Sequence, residues 1–72
     1  EILILDYKTN RPPPKNINDV PLQYINQMAC YWALLHETYP SHKIKCALLW
    51  TDVPDLMEIP EDLMKSALVK LK

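Results

Sequence analysis

Apolar residues fill both odd and even positions from Ile2 to Leu5, just ahead of Asp6. That pattern predicts a strand covered on both faces and placed centrally in a sheet. Thr9 to Asp19 holds Arg11-Pro12-Pro13-Pro14 and three asparagines, and consecutive prolines continue neither a helix nor a ladder, so this stretch is an extended connecting loop. Pro21 then stands where a helix can start, with Asp19 as its cap, and no breaker follows until Pro40. The spacing predicts a helix from Leu22 to Tyr39, with Leu22, Ile25, Met28, Ala29, Trp32, Leu35 and Tyr39 on one apolar stripe and Gln23, Asn26, Cys30 and Glu37 opposite. A turn at Pro40-Ser41-His42-Lys43 leads into a second strand, Ile44 to Trp50. Strand, helix and strand in this order predict a parallel crossover, a connection that is right-handed in about 98% of cases. Asp52-Val53-Pro54-Asp55 reads as a hairpin turn into a short strand, Leu56 to Ile59. Pro60-Glu61-Asp62 opens a last helix, with acids at its positive end and a packing stripe of Leu63, Ala67, Leu68 and Leu71. The fold class is α/β, in the order strand, long helix, strand, short strand, helix.

Seventy-two residues make one small unit, and a chain of that size buries little apolar surface by itself. The run Glu1-Ile2-Leu3-Ile4-Leu5 opens without an initiator Met or a cap, which reads as the interior of a longer polypeptide whose sheet continues beyond this strand. Alone, the chain is expected to self-associate through it, because a bare strand edge recruits another strand. Hydrophobic residues at 49% and charged residues at 24% are those of a globular domain. A net charge of −1 gives no global basic field, so a nucleic-acid role must rest on a site. No apolar run reaches the ~20 residues of a membrane helix, and nothing resembles a signal peptide. Cys30 and Cys46 form no CxxC pair, which suits a reducing cytoplasm and leaves a bridge between them open. Glycine is absent and proline occurs seven times, which excludes a Walker A loop or a dinucleotide fingerprint from this segment.

Asp6-Tyr7-Lys8 falls where the first strand runs out, and residues two apart on a strand project to the same side. A carboxylate can hold Mg²⁺, and a lysine beside it can orient water and offset charge on a phosphate, the needs of phosphodiester cleavage. Asp-x-Lys by itself is a weak signal, since such pairs flank many surface strands. Ile4-Leu5-Asp6-Tyr7-Lys8-Thr9-Asn10 resembles the second catalytic motif of the PD-(D/E)xK nucleases in their RecB-like branch, and Gln27-Met28-Ala29-Cys30-Tyr31 resembles that branch's Gln-xxx-Tyr motif. Asp6 to Pro14, together with Ala47-Leu48-Leu49-Trp50-Thr51, is most similar to the C-terminus of AddA-type helicase–nucleases. The resemblance covers nearly the whole chain and weakens in the last helix.

It implies that residues 1–72 are the C-terminal part of a RecB-like nuclease domain with a partial restriction-endonuclease-like fold, missing its upstream strands. Asp6 would be a metal ligand, Tyr7 would lend its backbone carbonyl to the metal, and Lys8 would assist the attacking water. Gln27 and Tyr31, spaced i, i+4 on the margin of the apolar stripe, would contact the site or the DNA backbone. Without the resemblance, Tyr31 reads as a core aromatic and Gln27 as a helix-surface amide. Asn10 and Arg11 read either as phosphate contacts or as a solvated turn. The implied cofactor is Mg²⁺, with ATP used only at helicase motifs outside this segment. The implied partners are DNA, an AddB-type second subunit, and the upstream helicase and nuclease segments of the parent chain, acting in double-strand-break repair and recombination in a bacterial cytoplasm. The family's other metal-binding aspartate lies on an earlier strand, which this segment does not contain. A nuclease-like module that only holds structure or DNA is one alternative, and a stand-alone RecB-like exonuclease is another.

Other constellations carry less. Cys30, His36, His42 and Cys46 match no common zinc spacing, and an iron–sulfur cluster, carried by some relatives, takes four thiolates where two are present. Asp52, Asp55, Glu58, Glu61 and Asp62 lack the Gly and alternation of a calcium loop and read as a turn followed by helix-dipole complementation. Lys65, Lys70 and Lys72 read as a solvated helix face.

Overall fold

The computed structural model describes residues 1–10, 12–52 and 54–71. Arg11, Val53 of the turn and Lys72 lie outside the described residues. The chain forms β1 (Ile2–Lys8), a short 3-10 turn (Ile17–Asp19), α1 (Leu22–Thr38), β2 (Ile44–Trp50), β3 (Asp55–Ile59) and α2 (Glu61–Leu71). This is the mixed α/β order that the hydrophobic pattern predicts. The sheet order is β1-β2-β3, with β1 and β2 parallel and β2 and β3 antiparallel.

Parallel neighbours need a crossover, and α1 supplies it. Both helices lie on one face of the sheet, where Ile25, Met28, Ala29 and Trp32 of α1 and Met64 and Ala67 of α2 meet Ile44, Cys46, Leu48, Trp50 and Ile59. Ile2 and Ile4 pack against the margin of this core. The opposite face of β1 is bare: Leu3, Leu5 and Tyr7 are exposed. The central, doubly covered position expected for this strand is therefore not what forms. Among the described residues β1 is an edge strand with one face covered, and β2 is the central one. Ile2 N–H donates to the Lys43 carbonyl at 2.8 Å and Thr51 N–H donates to the Lys8 carbonyl at 3.0 Å. Even-numbered residues of β1 thus direct their backbone groups at β2, and Leu3, Leu5 and Tyr7 direct theirs at the outer edge.

The helices depart from expectation at their ends. Asp19 does not cap α1; it closes the 3-10 turn, which is capped by Asn16 Oδ1 accepting from Asn18 N–H at 3.0 Å. Pro21 occupies the N-cap of α1 and makes no side-chain hydrogen bond. Leu22 is 62% exposed, because Tyr24 already lies level with Lys8 at the end of the parallel ladder and the helix starts beyond it. Tyr39 leaves the helical path at φ −126°, ψ 67° and packs edge-on against His42 in the following turn. In α2 the buried residues are Met64 and Ala67; Leu63 and Leu68 are half-buried, and Leu71, the last helical residue, is exposed. Among the described residues no helix is long and apolar enough to cross a membrane.

Three measurements check this packing. Met28 is fully buried, so Met28→Ala is expected to cost about 2–5 kcal/mol in urea unfolding, while Leu22→Ala costs less than about 1 kcal/mol; equal costs would place the stripe wrongly. Both thiols are free, Cys30 exposed and Cys46 buried, and burial pushes the Cys46 thiol from 9.0 up to about 11. Folded protein at pH 8 should alkylate at Cys30 and not at Cys46. The folded state keeps the Cys46 proton where the unfolded chain loses it, so this contribution to stability is full below pH 9.0 and is lost as pH rises to about 11. The decline should be shallower in Cys46→Ala.

Candidate functional site

At the C-terminal ends of β1 and β2, the parallel register sets Lys8 beside Trp50 and Asp6 beside Leu48. Asp6 and Lys8 share the helix-facing side with Ile2 and Ile4, as their two-residue spacing requires. Lys8 Nζ reaches Asp6 Oδ2 at 2.9 Å, with the lysine side chain 17% and the aspartate 31% exposed. The lysine is therefore held under cover while its carboxylate partner remains open to solvent.

Tyr24, in the first turn of α1, covers the lysine. Lys8 Nζ stands 4.2 Å from its ring centroid, a cation–π contact worth about 0.5–2 kcal/mol. The Tyr24 hydroxyl donates to Asn10 Oδ1 at 3.0 Å, and its ring tilts against Trp50 at a centroid distance of 6.2 Å. Trp50 is completely buried, and its Nε1–H has no acceptor among the described residues. The Lys8 carbonyl receives both the N–H and the Oγ–H of Thr51, at 3.0 and 3.3 Å, which pins the lysine backbone to the end of β2.

Asn10 is half-buried rather than a solvated turn residue, and its side-chain oxygen accepts from the Tyr24 hydroxyl. Gln27 and Tyr31 are exposed, and Gln27 Nε2 donates to Tyr31 Oη at 3.2 Å. Among the described residues, neither bonds to Asp6 or Lys8. At about 100° per residue, however, Tyr24, Gln27 and Tyr31 fall within an arc of about 60° on α1, so the pair continues the flank on which Tyr24 meets Lys8. Tyr24 escaped the sequence reading because it belongs to neither the apolar stripe nor the Gln-xxx-Tyr spacing. The available signal was its place on the Gln27–Tyr31 flank, one turn nearer the start of the helix.

Hard cations such as Mg²⁺ take oxygen donors and commonly bind through one or two carboxylates, with water and substrate phosphate completing the set. The Asp6 carboxylate and the Tyr7 carbonyl, which the register directs to the outer edge of β1, are donors of that kind. By themselves they would supply only part of such a set. Among the described residues no three His, Cys, Asp or Glu side chains come together in a metal-binding group. A cavity of about 340 Å³, lined by Lys43, Ile44, Lys45, Glu58, Glu61 and Met64 among others, lies elsewhere. It opens at the far end of β2 from Trp50, about 20 Å away at the rise of a strand.

Neither a protein-family model, nor a curated protein, nor a solved structure matches this chain.

With one side-chain carboxylate and one carbonyl as donors, the 72-residue chain is expected to show no saturable Mg²⁺ binding by calorimetry. It should also show no Asp6-dependent DNA degradation with Mg²⁺ or Mn²⁺. Robust degradation by the chain, lost in Asp6→Ala, would mean that the donor set is more complete than this.

Proposed function

We propose that this chain is part of a RecB-like, Mg²⁺-dependent DNA exonuclease domain, belonging to an AddA-type, ATP-dependent helicase–nuclease of bacterial double-strand-break repair. The observation that carries the reading is the Asp6–Lys8 pair at the end of a parallel strand, at 2.9 Å, with Gln27 and Tyr31 on the adjoining helix flank. Asp6 is the metal-binding carboxylate, assisted by the Tyr7 carbonyl. A bound Mg²⁺ would supply charge neutralisation at the phosphate and a more acidic water. Lys8 presents its ammonium to the developing phosphate charge and orients the water that attacks. The free amide hydrogens of Gln27 and Asn10 and the Tyr31 hydroxyl are suited to phosphodiester oxygens. Partners in this reading are DNA, an AddB-type subunit, and a strand added at the outer edge of β1, where the backbone groups of Leu3, Leu5 and Tyr7 are unpaired among the described residues.

One observation favours a second reading, a nuclease-like module that holds DNA or structure without cutting. Lys8 already neutralises Asp6 within the chain, as a purely structural ion pair would.

In the helicase–nuclease, Asp6→Ala is expected to abolish strand degradation while ATP-driven unwinding persists. Lys8→Ala should also abolish cutting, with less effect on metal binding. The measurement is parallel unwinding and degradation assays on folded, purified variants. Equal loss of both activities would sink the nuclease assignment, and intact degradation in Asp6→Ala would favour the holding module.

A further inference from the structure

A lysine serves chemistry best when its ammonium is fixed, because its flexible four-carbon stem must lose rotamer freedom to reach each productive geometry. Here three elements converge on one side chain. The Lys8 backbone is pinned by Thr51, its Nζ is drawn to Asp6 at 2.9 Å, and the Tyr24 ring covers it at 4.2 Å. A carboxylate that is nearly one-third exposed is a weak tether by itself. The Tyr24 ring adds a second contact to the same ammonium and restricts it further.

The ring is itself fixed from both ends. Its face tilts against fully buried Trp50, and its hydroxyl donates to Asn10, two residues past Lys8 in the loop that leaves β1. One side chain therefore links both Asn10 and Lys8 to the first turn of α1. The ammonium carries three N–H donors, so with Asp6 and the ring as neighbours it keeps a donor for an incoming oxygen.

We infer that Tyr24 is a positioning residue: tethered to Asn10 and packed on Trp50, its ring fixes the Lys8 ammonium beside Asp6 with a donor left for a phosphodiester oxygen. This rests on the nuclease reading of Asp6 and Lys8, and extends it to a residue that touches neither metal nor phosphate. The hydroxyl matters because it ties ring and loop together; the ring matters because it holds the cation.

The test is proton–carbon NMR of the chain carrying lysine labelled at the ε-carbon, with Lys8 assigned by its disappearance in Lys8→Arg. An ammonium held over a ring face gives ε-methylene protons shifted upfield by the ring current. The shift should be present in the parent chain, reduced in both Tyr24→Phe and Asn10→Ala, which remove the same hydrogen bond, and lost in Tyr24→Leu. Acetylation of the Lys8 amine, followed by mass spectrometry, should accelerate severalfold in Tyr24→Leu and much less in Tyr24→Phe. Where Tyr24→Leu does not give a folded amide spectrum, Asn10→Ala decides. An unshifted Lys8 in the parent chain, or an upfield signal unmoved by the folded Leu and Ala variants, overturns the proposal. These readouts need no DNA, so a failure to cut DNA counts against the nuclease reading and leaves this result standing.

Discussion

Residues 2–8 and 44–50 run side by side in the same direction, and a parallel pair cannot be joined by a tight turn. The connection has to travel back the full length of the sheet, and α1 makes that journey over one face. Once α1 is placed, Met28, Ala29 and Trp32 are fixed above Cys46, Leu48 and Trp50, and β2 becomes the strand on which everything packs. β3 returns beside β2 through a short turn, and α2 drops beside α1 over the same core. Both helices cover one face, so the other is left with Leu3, Leu5, Tyr7 and Leu56 in solvent.

The same constraint builds the candidate site. A crossover helix begins near the carboxyl ends of the strands it joins, the region where open α/β sheets gather their chemistry. Asp6 and Lys8 reach that end because the apolar part of β1 is spent before them, and the first turn of α1 arrives above them with Tyr24. The ion pair, the ring and the Asn10 tether are local consequences of this meeting of strand end and helix start. Burial there is graded: Trp50 is sealed, Lys8 is covered, Asp6 is partly open, and Gln27 and Tyr31 are exposed. A charge pair at such a boundary keeps an electrostatic strength that a fully solvated pair loses, and it remains accessible to an anion from solvent.

Element type and order were legible in the chain. The periodicity from Ile25 to Trp32, the β-rich run Ile44 to Trp50, the Pro60 start of α2 and the parity of Asp6 and Lys8 are all local properties, set by backbone geometry within a few residues. The motif resemblance named Asp6, Tyr7, Lys8, Gln27 and Tyr31 on the same basis, but motif spacing does not say what each side chain touches. Tertiary structure decided that β1 lies at the edge, since strand order depends on which surfaces find partners and not on the strand's own composition. It decided that Leu22 and Leu71 are exposed although they fall on apolar stripes, because a stripe extends only as far as the element beneath it. It turned Asp19 into part of a 3-10 turn, and Asn10 into the anchor of a ring fourteen residues away in sequence. Tyr24 shows the division most clearly: its helical position follows from sequence alone, whereas its role over Lys8 arises only when the crossover returns the helix to the strand it left.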